Sequence, residues 1–362
     1  MAIPLVDVKA QYAALLPDLR ERIDEVLDSG RFILGPNVAA FEHEAAAFLG
    51  VGETIGVANG TDAIELVLAA LDIGPGDEVI CPAFTFYATV EPVIRRGAVP
   101  VFAEIDPATL NLDPVDVAGR VTERTRAILA VHLFGRPAPV AELPDAIPVI
   151  EDTAQAFGAT IGERRAGSLG VAATFSFFPT KNLFALGDGG LVATSDLHVG
   201  ERVRLLRFHG SRDKQTFEFV GWNSRLDELQ AAFLRVFLPQ VEAWNSQRRE
   251  AAGRYGDLGL GELCELPEDD PGHVYHVYAV RSPQRDRLAE ALREDGIASA
   301  AYYATPLHLQ PALRHLGYEP GSLPETERAG AETLALPLWA GIEPDQQERV
   351  VETIRAAAMV RT

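Results

Sequence analysis

Cysteine is nearly absent. Cys81 and Cys264 are the only two in 362 residues, and they form no CxxC or metal-like cluster. No disulfide framework and no metal site is therefore expected, and both read as reduced, partly buried thiols of a cytoplasmic protein. Long apolar runs are absent too. Charge, Gly or Pro breaks every hydrophobic segment within about 12 residues, too short for a membrane span. The N-terminus, Met-Ala-Ile-Pro-Leu-Val-Asp-Val-Lys, lacks a basic region followed by an apolar stretch, so no secretory signal is expected. Basic residues are scarce: 32 Lys and Arg against 52 Asp and Glu leave a net charge of −20. A phosphate backbone would be repelled, which argues against a nucleic-acid partner. A small anionic substrate would need a local pocket of positive groups and helix N-termini.

What is present is ordinary globular composition, 47% hydrophobic and 23% charged, in a chain long enough for two domains. Leu15, Leu19, Ile23 and Val26 recur at helical steps before Gly30, and Val38 to Leu49 predicts a second helix. From there short apolar strands alternate with helices: Ile55–Ala58, Glu78–Cys81, Val99–Ile105, Ala127–Leu133, Pro148–Glu151, Thr174–Phe178 and Leu191–Thr194. Asp62–Leu71 and Ala88–Arg95 are helical segments between them. The alternation predicts an α/β fold, a mainly parallel seven-stranded sheet covered by helices on both faces. In such sheets ligands bind at the carboxyl ends of strands.

Near Pro239 the pattern shifts. A helical region from Asp227 to about Tyr255 leads into a Gly-rich acidic stretch, Gly256–Gly272. Beyond it come a β-like run His273–Arg281, a helix Pro283–Asp295, a strand near Ala298–Tyr303 and two terminal helices. This predicts a large domain over 1–238, opening with the helical segment 1–50, and a smaller α+β domain over 239–362.

Five features sit at strand exits or turns. Lys181 follows the apolar run Val171 to Phe178, in a Pro-containing turn. A desolvated lysine has a depressed pKa and is a nucleophile toward an aldehyde; equally, a loop lysine reaches water. Asn59-Gly-Thr-Asp-Ala63 opens a helix whose outward amides suit a phosphate, or is a plain N-cap by Thr61 or Asp62. Asp152, in Ile150-Glu-Asp-Thr-Ala-Gln155, is suited to keep a pyridine nitrogen protonated, or caps the next helix. Phe86, in Pro82-Ala-Phe-Thr-Phe, is suited to stack on a flat ring, or belongs to the core. Gly221-Trp-Asn-Ser-Arg225-Leu-Asp-Glu-Leu-Gln230 joins a polar turn to a helix with a Ser224-x-x-Asp227 capping pattern.

Taken in order, these features supply what one cofactor needs. Asn59-Gly-Thr-Asp-Ala, Glu151-Asp-Thr-Ala-Gln-Ala, Ser176-Phe-Phe-Pro-Thr-Lys-Asn, Gly187-Asp-Gly-Gly and Asn223-Ser-Arg-Leu-Asp-Glu-Leu-Gln-Ala-Ala resemble the sugar-nucleotide aminotransferases of the DegT/StrS group. Those enzymes have the aspartate-aminotransferase-like (type I) fold of pyridoxal-phosphate enzymes, and the resemblance runs from Phe32 to Leu336-Pro-Leu. It implies pyridoxal 5'-phosphate as cofactor, with Lys181 as its Schiff-base lysine and Asp152 as partner of the pyridine nitrogen. It implies Gln155 at the ring hydroxyl, Phe86 stacked on the ring, and Gly60, Thr61 and Ser176 on the phosphate. Asn223 matches a phosphate contact supplied by the neighbouring subunit, which implies a homodimer, and His308 matches a substrate-side position.

The same resemblance implies transamination from glutamate to a nucleotide-diphosphate keto-sugar. His209-Gly-Ser-Arg, Gly187-Asp-Gly-Gly and Asn223-Ser-Arg-Leu-Asp look like the branch that aminates C3, whereas C4-aminating members tend to carry an Asn-Tyr-Arg-Met version of the last motif. Gln215-Thr-Phe217 departs from the C3 pattern in a loop expected to touch substrate. Arg212, Arg225 and Lys214 are candidates for the substrate diphosphate. A C4-aminating enzyme, a regulatory protein and a sugar dehydratase of the same fold are the alternatives; the dehydratase branch replaces the lysine with His, which Lys181 opposes.

Overall fold

A computed structural model describes residues 2–359. Three helices come first: α1 (Val8–Tyr12), α2 (Leu16–Ser29) and α3 (Pro36–Leu49). Then follow β1 (Glu53–Val57), α4 (Gly60–Ala70), β2 (Glu78–Pro82), α5 (Glu91–Arg95), β3 (Val99–Ala103), α6 (Pro114–Arg120), β4 (Thr125–Val131) and β5 (Val149–Asp152). A two-residue hairpin, β6 (Thr160–Ile161) and β7 (Arg164–Arg165), precedes β8 (Ala172–Ser176), β9 (Gly190–Thr194) and α7 (Leu197–Leu206). The C-terminal part holds α8 (Glu228–Phe237), α9 (Val241–Asp257), β10 (Tyr278–Arg281), α10 (Arg285–Glu294), α11 (Pro324–Glu332), β11 (Thr333–Leu336) and α12 (Pro344–Met359).

Seven strands form one sheet in the order β1-β9-β8-β5-β4-β2-β3. The run β3-β2-β4-β5-β8 is parallel, and β9 lies antiparallel between β8 and β1. All seven expected strands are present, with bounds shifted by a few residues. Their near-continuous apolar character follows from burial on both faces. One face packs Val57, Ile64, Val67, Val93 and Val203 from β1, α4, α5 and α7. The other packs Phe41, Phe175, Phe177, Leu191, Phe237 and Trp244 beneath α2, α3 and α8. In β8 the period of two is plain: Ala172 joins the first layer, Ala173 and Phe175 the second.

The parallel strands point their carboxyl ends to one edge. There Val131 pairs with Asp152, and Ser176 with Gly190, which in turn pairs with Val57. Everything that leaves the strands at Pro82, Val131, Asp152 and Ser176 therefore converges on one rim.

Several local expectations change. The spacing predicts one helix from Asp227 to Tyr255, but Pro239 lacks the amide a continuous helix needs, and a 3-10 turn at Leu238–Gln240 divides it. Asp227, not Ser224, caps α8 by accepting from the Gln230 amide; the Ser224 hydroxyl instead accepts from the Ala58 amide at 3.1 Å. The strand near Ala298–Tyr303 reduces to a single bridge between Ala300 and Ala335. The pairing partner of β10 is β11, an element the sequence pattern did not suggest. The core of β10, β11, α10 and α12 also takes in Ile3, and the Leu338 amide donates to Leu5. The first few residues thus pack with the C-terminal part. Among the described residues no helix is long and apolar enough to cross a membrane, and none gathers three or more His, Cys, Asp or Glu side chains into a cation cage.

Candidate active site

The converging strand ends enclose a cavity of about 570 Å³. Gly60, Thr61, Phe86, Asp152, Gln155, Ser176 and Lys181 all line it. Seven residues singled out along the sequence, from four separate segments, thus meet in one place.

Lys181 lies in the turn after β8, its amide donating to the Phe178 carbonyl at 2.9 Å. The next residue fixes that turn: the Asn182 side-chain amide donates to Asn245 Oδ1 at 2.8 Å and to the Val274 carbonyl at 3.0 Å. Burial lowers the Lys181 ammonium to about 8, opposed by the nearby Asp152 carboxylate. About a tenth is then the free amine at pH 7, far more than an ordinary lysine holds.

Asp152 closes β5 and is 6% exposed. It caps no helix. The Thr89 hydroxyl donates to its Oδ2 at 2.8 Å and the Ala154 amide to its Oδ1 at 3.2 Å. Burial raises its carboxyl above the usual value, while those two donors and Lys181 pull the other way. On the adjacent residue of the same strand, fully buried Glu151 accepts from the amides of Gly167, Leu169 and Gly170, each at 2.7 Å. His132 Nδ1 accepts from the Ala138 amide at 2.8 Å, so its proton is on Nε2, which donates to Glu151 at 2.9 Å.

Asn59 is the N-cap of α4: its side chain accepts from the Asp62 amide. This corrects the assignment of that role to Thr61 or Asp62. The amides of Gly60 and Thr61 have no acceptor among the described residues. They sit at the positive end of an 11-residue helix. The close approach needs glycine: a Cβ at Gly60 would lie 2.8 Å from Ser176 Cβ. Gly190 is as tightly placed, since a Cβ there would lie 2.4 Å from the Asn59 carbonyl.

Phe86 is 59% exposed, an uncovered aromatic on the cavity wall rather than a core residue. The Gln155 side chain is held at both ends, with Oε1 accepting from the Phe134 amide at 2.7 Å and Nε2 donating to the Tyr303 hydroxyl at 3.0 Å. The Tyr303 ring stacks on Phe134, centroids 6.3 Å apart.

Other sequence candidates are not on this wall. Asn223 is exposed and outside the cavity lining. His308 is 1% exposed and meets Glu327 at 3.2 Å and the edge of Tyr318, so it is no surface-turn residue and does not reach the cavity. Arg212 is exposed and held by Glu201 and Glu218. Lys214 and Arg225 converge on the Phe208 ring, 5.0 and 5.8 Å from its centroid.

Sequence reasoning missed Thr85, Thr89, Tyr303 and His276, all on the cavity wall. His276 is held neutral, well below its usual pKa, by burial and by Lys181 and Arg248. Its Nδ1 is buried without a partner among the described residues. Leu5 and Val6 reach the cavity too. These residues are brought in by distant segments and carry no local spacing that marks them.

A primary amine, a buried carboxylate, free helix amides and an uncovered aromatic are the donor set that pyridoxal phosphate requires. The unpaired Gly60 and Thr61 amides, packed on Ser176 where only glycine fits, form a seat for its phosphate, so the residues present fit the group.

A model of the DegT/DnrJ/EryC1/StrS aminotransferase family matches residues 16–355. The chain is 46% identical over 364 residues to a Geobacillus stearothermophilus protein named pleiotropic regulatory protein, covering 98% of each. It is 42% identical over 361 residues to an Acidithiobacillus ferrooxidans protein named UDP-N-acetyl-3-dehydro-alpha-D-glucosamine 3-aminotransferase, covering 98% of this chain and 97% of that one. Among solved structures, that of S. venezuelae DesV in complex with a ketimine intermediate superposes with a TM-score of 0.96 at 41% identity, covering all of both chains.

Proposed function

The chain belongs to the DegT/DnrJ/EryC1/StrS aminotransferase family, and from that premise we propose that it moves an amino group from glutamate to C3 of a nucleotide-diphosphate-linked keto-sugar. The observation that carries this reading is Lys181 and Asp152 on one cavity wall, beside the free amides of α4. When bound, pyridoxal phosphate supplies an aldehyde that condenses with amines and a protonated ring that accepts electrons.

The chain's own residues do the rest. Gly60 and Thr61 bind the phosphate through their amides, with the Ser176 hydroxyl beside them. Phe86 covers one face of the ring and keeps water from it. Gln155, pinned by Phe134 and Tyr303, orients the ring through its hydroxyl. Asp152 holds a proton at the pyridine nitrogen. Lys181 Nζ, as a free amine, would take a proton from the donor's α-carbon and return one to the acceptor carbon. Its depressed pKa leaves it able to do both near neutral pH.

A second copy completes the site in this reading. Asn223 is exposed and far enough from its own cavity to be absent from the lining. Phe32, Ile33, Phe178, Phe217, Phe219 and Val220 are exposed apolar side chains of the kind a subunit interface covers. Both support a homodimer in which Asn223 serves the neighbouring phosphate seat. On the substrate side, Arg225 and Lys214 are better placed for a diphosphate than Arg212, which two glutamates hold. The core of Tyr255, Tyr278, Val280, Leu288, Leu334 and Val350 supports a smaller C-terminal part beside a large cofactor-binding part ending near residue 238, with Leu307, Leu313 and Leu323 packing back into the core of the large part. Two buried, unpaired thiols support a cytoplasmic setting.

C3 rather than C4 is supported by the Asn223-Ser-Arg-Leu motif and by the name of the Acidithiobacillus relative. The test is incubation with glutamate and a panel of 3-keto and 4-keto nucleotide sugars. Amino-sugar product from the 3-keto set supports the reading. Product from the 4-keto set alone overturns the position, and no product from any sugar favours the regulatory alternative.

A further inference from the structure

Both oxygens of the Asp152 carboxylate are engaged, and the two donors differ in kind. The Ala154 amide is part of the backbone beside it, at 3.2 Å. The Thr89 hydroxyl, at 2.8 Å, arrives from a different segment, the turn between β2 and α5. Thr89 has one hydroxyl proton and gives it to Asp152, so the 3.0 Å contact between the Thr85 and Thr89 hydroxyls runs one way: Thr85 donates. Thr85 and Thr89 are each 2% exposed. The result is a directed chain, Thr85 to Thr89 to Asp152, that ends on the cavity wall.

Other charged or titratable groups face Asp152. Lys181 comes from the turn after β8, His132 from the end of β4, and Tyr303 from beyond β10. Each is engaged elsewhere: Lys181 in the proposed proton transfers, His132 with Glu151 and Ala138, Tyr303 with Gln155. Thr89 is the side-chain donor committed to the carboxylate throughout. Donors to a buried carboxylate favour its charged form, while burial opposes it. A hydroxyl whose own oxygen accepts a further hydrogen bond is a stronger donor.

We propose that Thr89, held by Thr85, is a positioning residue that aims Asp152 into the cavity and keeps it the charged partner of the cofactor's ring nitrogen. The inference rests on the proposed pairing of Asp152 with that nitrogen. Neither threonine transfers a proton or touches substrate in this role. Their effect passes through Asp152.

The experiment uses the holoenzyme and four variants: Thr89→Val, Thr89→Ser, Thr85→Val and Asp152→Asn. Valine keeps the shape of threonine and removes the hydroxyl. Two readouts are compared, a pH titration of the bound cofactor's absorbance and the pH profile of turnover. Thr89→Val should move the acid limb of both upward by roughly 1 pH unit and lower kcat about tenfold at neutral pH, with KM for glutamate little changed. Thr89→Ser should restore both, and Thr85→Val should shift them in the same direction by less. A Thr89→Val enzyme with the wild-type spectrum and profile overturns the inference, as does a Ser variant that fails to restore them. Should Thr89→Val not fold, a Thr85→Val enzyme without any shift overturns it equally. Asp152→Asn separates the two levels. Wild-type turnover in that variant removes the pairing and the inference with it, whereas an inactive Asn variant beside a wild-type-like Thr89→Val removes the positioning role of the threonines alone.

Discussion

Gly60→Ala is a one-carbon perturbation of the phosphate seat. The new Cβ would lie 2.8 Å from Ser176 Cβ, 3.3 Å from Ser176 Cα and 3.5 Å from the Phe175 carbonyl oxygen. Ser176 Cβ is bonded to the backbone of β8, so no rotamer change moves it. Carbon atoms pack comfortably at about 3.5–4.0 Å. The first turn of α4 and the end of β8 must therefore separate by roughly 0.7 Å. Overpacking of this kind costs about 1–3 kcal/mol, offset by at most about 1 kcal/mol from the better helix propensity of alanine. The separation carries the Gly60 and Thr61 amides off the phosphate position. The variant should fold, lose a few degrees of Tm, and bind pyridoxal phosphate roughly tenfold more weakly, as measured by titration of the cofactor-free protein. Gly119→Ala is the control, because a Cβ there meets nothing within 4 Å; its cofactor affinity should be that of the wild type. Unchanged affinity in Gly60→Ala would refute the reasoning.

Three other outcomes follow from particular contacts. Lys181 titrates near 8 when folded against 10.5 ordinarily, so between those values the unfolded chain holds a proton the folded one has released. Stability of the cofactor-free protein should rise with pH across that window, by up to about 3 kcal/mol. Lys181→Met should therefore be the more stable protein at pH 7, with an advantage that shrinks toward pH 10; a constant gap in Tm contradicts this. If Asn223 serves the neighbouring site, mixing Lys181→Ala with Asn223→Asp subunits should restore activity to about a quarter of wild type, since half the dimers are hybrids with one intact site; inactivity of the mixture argues against shared sites. Glu228 is 1% exposed and accepts from the Asn37 and Val38 amides, each at 2.8 Å, at the start of α3. Glu228→Ala should cost about 2–4 kcal/mol, read as a Tm lower by several degrees, with wild-type stability as the contrary result.

The seven strands were legible because a sheet buried on both faces writes each strand as a short apolar run. Their order was not, because nothing in the run Leu191–Thr194 says that β9 inserts antiparallel between β1 and β8. Lys181, Asp152 and Gly60 were legible through local motifs that leave strand ends. Thr89 was not, although it lies three residues from Phe86, since its meaning depends on β5 arriving beside it. His276 and Tyr303 are likewise brought in by the C-terminal part. His308 shows the opposite failure: its turn looks polar along the sequence, yet Glu327 and Tyr318 enclose it.

The most direct measurement of the central claim is the absorbance of the purified, cofactor-loaded protein during addition of glutamate near neutral pH. The account predicts that the visible band of the bound cofactor bleaches as 2-oxoglutarate appears in equal amount, and that Lys181→Ala has no such band to lose. A wild-type band that stays unchanged with glutamate, or normal transamination by Lys181→Ala, would contradict it.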